Sequence, residues 1–265
     1  MTDDDLEFAL RLADLADELT LRRFGALDLV VETKPDLTPV SDADRDAEQL
    51  LRTQLAEHRP NDLVVGEEFG QQTGASRCWV LDPIDGTKNY VRGVPVWSTL
   101  IALATRAPVV DTSDVVLGVV SAPALGRRWW ATRGGGAWTS FQGEVSRIGV
   151  SAVKEVPDAS LSFSEWNDPA WDVGARRQAF ESLVRGCWRS RAYGDFWSHM
   201  MVAEGTVDVA IEPELFPWDM AALIPIVEEA GGQITALDGD SPMVGGNAVS
   251  SNGLLHPELL GLFGS

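Results

Sequence analysis

The segment Leu81-Asp82-Pro83-Ile84-Asp85-Gly86-Thr87-Lys88-Asn89-Tyr90 sets two carboxylates three positions apart across a proline, directly after the apolar run Trp79–Leu81. Asp82 and Asp85 can point to one side of a tight turn at a strand's end, where paired carboxylates hold a hard cation. Gly86 and Thr87 then offer backbone N–H groups to a phosphate if a helix or turn starts there. Read alone, Asp82–Gly86 is equally an ordinary turn. Gly66-Glu67-Glu68 ends another apolar run. One of its glutamates can coordinate a cation while the other faces water or a basic partner, and the competing reading is a solvated loop. Asp219, in Trp218–Ala222 after Pro217, is either a further ligand or a helix cap. Asp42, just after Ser41, has the same two readings. Mg²⁺ typically takes one or two carboxylates plus phosphate. Two cations ~3.5–4 Å apart can together activate water and stabilise a leaving oxygen. Glu67, Asp82, Asp85 and Asp219 supply enough carboxylates, on separate elements, for such a site.

The rest of the composition agrees with small-molecule chemistry. Among 265 residues, 21 Lys+Arg stand against 40 Asp+Glu, a net charge of −19. That balance argues against a nucleic-acid backbone binder and against adhesion to an anionic membrane. It leaves room for a phosphorylated substrate, because bound cations invert the local charge. Two cysteines, Cys78 and Cys187, make neither a disulfide scaffold nor a zinc cluster. His58, His199 and His256 read as surface or helix residues rather than ligands. No run reaches the ~20 apolar residues of a membrane span. The acidic start, Thr2–Asp5, lacks the pattern of a signal peptide. The expectation is a soluble, cytoplasmic protein with no nucleic-acid or membrane partner.

These side chains need rigid elements to position them. Leu6, Ala9, Leu10, Ala13, Ala16 and Leu19 predict a first helix, with Thr2 and Asp5 as a capping pair. Ser41 caps a second helix through about Glu57. Short strands follow at Leu63–Val65, Trp79–Leu81, Trp97–Ala104, Val115–Ser121 and Trp129–Ala131. The pattern weakens between Phe141 and Pro157. Strands and helices then alternate: Ser160–Phe163, helix Val173–Arg185, Trp188–Ala192, helix Phe196–Glu204, Val207–Ile211, helix Met220–Ala230, Gln233–Ala236, Asn247–Ser250 and helix Pro257–Leu262. The expected organisation is an α+β unit over 1–150, carrying the metal and phosphate loop. An α/β unit over 151–265 carries substrate-recognition residues and Asp219.

In order and spacing, Gly66–Glu68, Trp79–Asn89 and Trp218–Ala222 resemble the inositol monophosphatase family of Mg²⁺-dependent phosphatases, and the likeness runs over nearly the whole chain, including Gly231-Gly232 and Ser251-Asn252-Gly253. The resemblance implies a five-layer α/β/α/β/α sandwich, usually a homodimer, holding two or three Mg²⁺ ions, with Mn²⁺ as an alternative. It implies metal ligands at Glu67, Asp82, the Ile84 carbonyl, Asp85 and Asp219, and a weaker cation held near Asp42. It gives Glu67 and Thr87 the orienting of a nucleophilic water, and Gly86 and Thr87 the phosphate contacts. Tyr90 stands where the family commonly has Phe.

The metal residues define the reaction and leave the alcohol open. By the same resemblance Gly194-Asp195 fall in the substrate-side loop, with Arg191 nearby, and Glu212 contacts the non-phosphate part of the substrate. Two carboxylates suit an ester that carries an amine cation and an imidazole donor, which is the chemistry of L-histidinol phosphate. A neutral polyol would not repay the burial of an extra carboxylate. Alternatives are an inositol 1-phosphate or fructose 1,6-bisphosphate phosphatase, a nucleotide 3′-phosphatase, and a silent cation- or phosphate-binding protein. Asp195 as a simple cap on the helix at Phe196 is the competing role for that residue. Trp97 is a candidate lid over a ring-bearing ligand.

Overall fold

The computed structural model describes residues 3–35, 37–71 and 77–264. Helices α1 (Asp3–Arg23) and α2 (Asp42–His58) flank a hairpin of β1 (Val31–Thr33) and β2 (Pro39–Ser41). Next come β3 (Leu63–Gly66), β4 (Gly70–Gln71), β5 (Cys78–Asp85), helix α3 (Thr87–Val91), β6 (Ser98–Ala104), β7 (Val115–Ala122), β8 (Arg127–Thr132), β9 (Gly136–Phe141) and β10 (Glu144–Arg147). They build a sheet of order β10-β9-β8-β7-β6-β5-β3-β4, in which β3 and β5 run parallel. The remainder supplies β11 (Ser160–Phe163), α4 (Arg176–Gly186), β12 (Arg189–Arg191), α5 (Asp195–Ala203), β13 (Val209–Glu212), α6 (Pro217–Met220), α7 (Leu223–Glu229), β14 (Gln233–Thr235), α8 (Pro242–Gly245), β15 (Ala248–Ser251) and α9 (His256–Phe263). Their strands pair in the order β12-β11-β13-β15-β14.

Alternation along the strands separates the layers. Trp79, Leu81, Ile101, Leu103, Leu117 and Val119 face α1 and α2, packing against Phe8, Leu12, Leu51 and Leu55. Val80, Leu100, Ala102, Val120 and Trp129 face the other way, onto Phe196 and Met200 of α5 and Leu223, Ile226 and Val227 of α7. The far side of α5 meets the second sheet: Ser198 Oγ lies 2.6 Å from Ser162 Oγ, and His199 Nδ1 2.7 Å from Ser250 Oγ. Leu161, Val209, Ile211 and Val249 close the other face of that sheet with Phe180, Leu183 and Leu259. The order is therefore α/β/α/β/α, as expected.

Several expected elements shift. Thr2 lies outside the described residues. The expected helix Met220–Ala230 is two pieces, α6 and α7, interrupted at Ala221-Ala222, because Pro225 has no N–H for the Ala221 carbonyl. The interruption lies against the sheet: a Cβ at Gly118 of β7 would lie 2.1 Å from the Ala222 carbonyl oxygen. Only glycine allows that approach, which sets α6, and with it Asp219, beside β5. Helix α4 starts at Arg176 because Pro169–Asp172 forms a separate 3₁₀ turn capped by Asp168. The weak stretch after Phe141 contains the edge strand β10, whose four side chains are all exposed and so leave no alternation to read. His199 and His256 are helix residues, on α5 and α9, and both are buried and hydrogen-bonded to serine.

Candidate active site

Strand β5 does not turn at Asp82 but continues to Asp85, with an irregularity in its pairing to β6 between those two residues. A bulge re-aims side chains that strict alternation would send to opposite faces. It is stabilised locally: Ile84 N–H donates to Asp82 Oδ1 at 3.0 Å, and Thr99 Oγ1 donates to the Pro83 carbonyl at 2.8 Å. Asp219 sits in the first turn of α6, where its Oδ2 accepts from Phe216 N–H at 2.7 Å. Cap and ligand are thus not exclusive, since a carboxylate has a second oxygen. Asp82, Asp85 and Asp219 each place an oxygen within 4.8 Å of the others. Glu67, at the end of β3, is within hydrogen-bonding reach of Asp82.

Burial and mutual repulsion oppose ionisation of this group. Burial first, then Glu67, Asp85 and Asp219, hold the Asp82 carboxyl well above its ordinary range. Burial and the charges of Asp195 and Asp219 do the same to Asp85. Burial pushes Asp219 up to about 7. An all-oxygen donor set of crowded carboxylates fits a hard divalent cation, which would offset both penalties. A basic group also reaches this corner. Lys34 Nζ, on the β1–β2 hairpin, lies 2.7 Å from Glu67 Oε1 and 2.6 Å from Glu68 Oε1. Burial works against its ammonium, but the two glutamates outweigh that and raise its pKa.

Asp42 is not in the cluster. Its Oδ2 is held by Arg23 at 2.7 Å. Two positions later, Asp44 faces inward, fully buried. Its Oδ2 accepts from Ser41 N–H and Oγ at 2.8 and 2.6 Å, and its Oδ1 lies 3.1 Å from Thr87 Oγ1. The Thr87 hydroxyl also lies 2.9 Å from the Ile84 carbonyl. Sequence reasoning missed Asp44. The only available signal was its place four residues ahead of Glu48 in a helix opened by Ser41, which a cap accounts for equally well.

Gly86 takes φ 84 to lead β5 into α3, and a Cβ there would lie 3.1 Å from the Val96 carbonyl oxygen. Its amide and that of Thr87 therefore head the first turn of α3. Asp195 Oδ2 would lie 3.3 Å from the same Cβ, so this carboxylate stands beside the glycine. Asp195 is the first residue of α5, held at φ 51 after Gly194 at φ 79. Its Oδ2 accepts from Asn89 Nδ2 at 3.2 Å. The N-terminal amide of α5 goes instead to Asp85, through Phe196 N–H at 2.8 Å. Burial pushes Asp195 up to about 6, against the pull of Lys88. Glu212 ends β13, 3% exposed. Ser164 donates to its Oε2, while its Oε1 is buried with no partner among the described residues. Burial, then the charges of Asp195, Asp168 and Asp219, hold Glu212 well above the ordinary range. Arg191 stands apart, exposed on the edge strand β12 with its guanidinium on the Ser190 carbonyl. Trp97 is no lid: it is fully buried against Phe24 and Tyr90.

Among the described residues, no helix is long and apolar enough to cross a membrane. The model of the inositol monophosphatase family matches residues 1–264. A histidinol-phosphatase of Streptomyces coelicolor is 56% identical over 97% of this chain and 96% of its own length. One of Mycobacterium tuberculosis is 55% identical over 98% of each chain. Among solved structures, a Thermotoga maritima IMPase superposes with a TM-score of 0.84 at 31% identity, covering 98% of this chain and 96% of that one. With the acidic site in place, these likenesses show that the chain belongs to the inositol monophosphatase family, as a phosphomonoesterase acting on a small phosphate ester.

Proposed function

We propose that this protein hydrolyses L-histidinol phosphate to L-histidinol and phosphate, as a step of histidine biosynthesis. The observation that carries the choice of substrate is the pair of carboxylates beside the acidic cluster, half-buried Asp195 and buried Glu212, whose Oε1 has no protein partner among the described residues. A buried unpaired carboxylate oxygen is costly unless the ligand brings a donor, and best a charged one. The histidinol amine and imidazole N–H meet that demand. The names of the two 55–56% identical relatives support the same reading.

Glu67, Asp82, Asp85, Asp219 and the Ile84 carbonyl would hold two or three Mg²⁺ ions, with Mn²⁺ as a substitute. Bound there, the cations supply charge that acidifies water and offsets the charge of the phosphate and the departing alkoxide. The protein's own groups do the rest. Gly86 and Thr87 amides hold phosphate oxygens at the head of α3. Thr87 Oγ1 donates to Asp44, so its lone pairs accept from a water and aim it at phosphorus. Asp44, rather than Asp42, is the acceptor behind that hydroxyl, and Glu67 completes the water's alignment. Asp195 and Glu212 orient the amino alcohol. Residues 1–150 thus provide metal and phosphate chemistry, and 151–265 provide recognition plus Asp219. The working form is a cytoplasmic homodimer, which light scattering on the purified protein would measure.

Phosphate release from L-histidinol phosphate, myo-inositol 1-phosphate and fructose 1,6-bisphosphate, with Mg²⁺ and with chelator, tests the reading. The expected result is Mg²⁺-dependent kcat/KM highest for histidinol phosphate. A polyol ester turned over faster sinks the substrate assignment.

A further inference from the structure

The turn that carries Glu67 is gripped by a carboxylate outside the acidic cluster. Glu48 lies on α2, one turn beyond Asp44, and is fully buried. Its Oε2 accepts from Glu68 N–H at 2.7 Å, and its Oε1 from Phe69 N–H at 3.2 Å. Arg52, the next turn along, donates from Nε to the same Oε1 at 2.7 Å. The Arg52 guanidinium also donates to the Gly70 carbonyl at 2.6 Å and lies 6.0 Å from the Phe69 ring centroid. Three consecutive residues after Glu67 are therefore tied to one face of α2. Gly66 makes the approach possible: a Cβ there would lie 2.1 Å from Glu48 Oε1 and 2.8 Å from Oε2. The carboxylate fills the space in which any other residue would carry its side chain.

We infer that Glu48 is a positioning residue for the cation site. The Glu48–Arg52 pair fixes the backbone just after Glu67 and so sets the direction of the Glu67 carboxylate toward Asp82. Asp44 and Glu48 are four residues apart on one helix and so share a face. That face of α2 places two reacting groups, the Thr87 hydroxyl through Asp44 and the Glu67 carboxylate through Glu48. This rests on reading Glu67 as a metal ligand. A role in stability alone would leave cation affinity unchanged, whereas groups that orient metal ligands typically change it 10–100-fold when lost.

The test is calorimetric titration of the metal-free protein with Mn²⁺, alongside its thermal unfolding, for the wild type, Glu48→Gln, Gly66→Ala and the double variant. Glu48→Gln keeps the shape but turns an N–H toward donors. Gly66→Ala drives the carboxylate off the turn. Each single variant is expected to bind Mn²⁺ about 10–100-fold more weakly. The double variant is expected to lose little more than either, because both break one contact. Variants that fold and bind Mn²⁺ like the wild type overturn the inference, whatever their Tm. So does failure of both single variants to fold, which would make Glu48 a group of the fold alone; if one folds, its affinity decides. A wild type that binds no Mn²⁺ removes the reading of Glu67 instead.

Discussion

Glu212→Gln separates recognition of the alcohol from the chemistry on phosphorus. The replacement is nearly isosteric and still offers an oxygen to Ser164. It removes a charge that burial and the neighbouring Asp195, Asp168 and Asp219 already oppose, so the fold is expected to stand or gain. What it loses is a charged acceptor for a donor on the substrate. A hydrogen bond to a charged group is worth about 1.5–3 kcal/mol net. Each 1.36 kcal/mol is tenfold in rate, so kcat/KM for L-histidinol phosphate should fall by about 10–150-fold. A neutral polyol ester has no cation to lose, and its kcat/KM should change by less than about threefold by the same conversion. The assay is phosphate release at substrate concentrations well below KM, both esters side by side, in saturating Mg²⁺. A common fall for both esters would refute the reasoning. Glu212 would then act on the cluster through Asp219 rather than on the alcohol.

Other perturbations separate the remaining parts. Lys34→Met removes the ammonium that sits on Glu67 and Glu68. Metal-free protein should then bind Mn²⁺ at least about fivefold tighter, since like charges a few ångströms apart repel by kilocalories even at a high effective dielectric; equal or weaker binding in the calorimeter would contradict this. Asp44→Asn should lower kcat by about 10²–10⁴ with a modest change in KM, the usual scale for a lost acid–base partner, and steady-state kinetics that retain kcat would return Asp44 to a purely structural place at Ser41. His199 is pushed down to about 4 by burial. Its folded state stays neutral while the unfolded chain takes a proton near 6.5, so its contribution is full above pH 6.5 and is lost as pH falls toward 4. About 2.5 pH units correspond to ~3 kcal/mol. The stability advantage of the wild type over His199→Gln in urea should shrink across that window, and a constant difference would show that His199 titrates normally.

The sequence made some of this legible because the information is local. Asp82 and Asp85 are close in the chain, and the continuous apolar run Trp79-Val80-Leu81 announces a strand buried on both faces. Such a run does not say which residue meets which layer; the packed structure does. What stayed hidden depends on distant partners. Asp42 and Asp44 are both acidic residues at a helix start, and only Arg23, nineteen residues back, draws one outward while Thr87 meets the other. Glu48 reads as an ordinary helix glutamate until Gly66 is seen to leave room for it. The break between α6 and α7 does have a local signal, Pro225, which has no N–H for the Ala221 carbonyl four residues back; what stayed hidden is that Gly118, on another strand, leaves room for the Ala222 carbonyl. Arg191 was placed with its chain neighbours Gly194 and Asp195, but three residues of edge strand suffice to turn it to solvent.

The placement of positive charge follows from the same economy of carboxylates. A chain of net charge −19 repels an anionic ester at long range, and its recognition side, Asp195 and Glu212, adds to that repulsion. Lysine is scarce: Lys34, Lys88 and Lys154 are all there is. Two of the three are at the site. Lys34 bridges Glu67 and Glu68, and Lys88, on α3, lowers the pKa of Asp195 and lies 3.8 Å from Glu165. Lys34 already answers two carboxylates, while Lys88 is largely exposed. On the function proposed above, amides at α3 and cations held by the acidic cluster supply affinity for phosphate. That makes the site conditional: crowded carboxylates alone resist ionisation and repel the ester, and the bound cation relieves both effects at once. On the proposed reading, Asp195 and Glu212 turn the remaining negative field to use, favouring an ester whose alcohol brings its own positive charge.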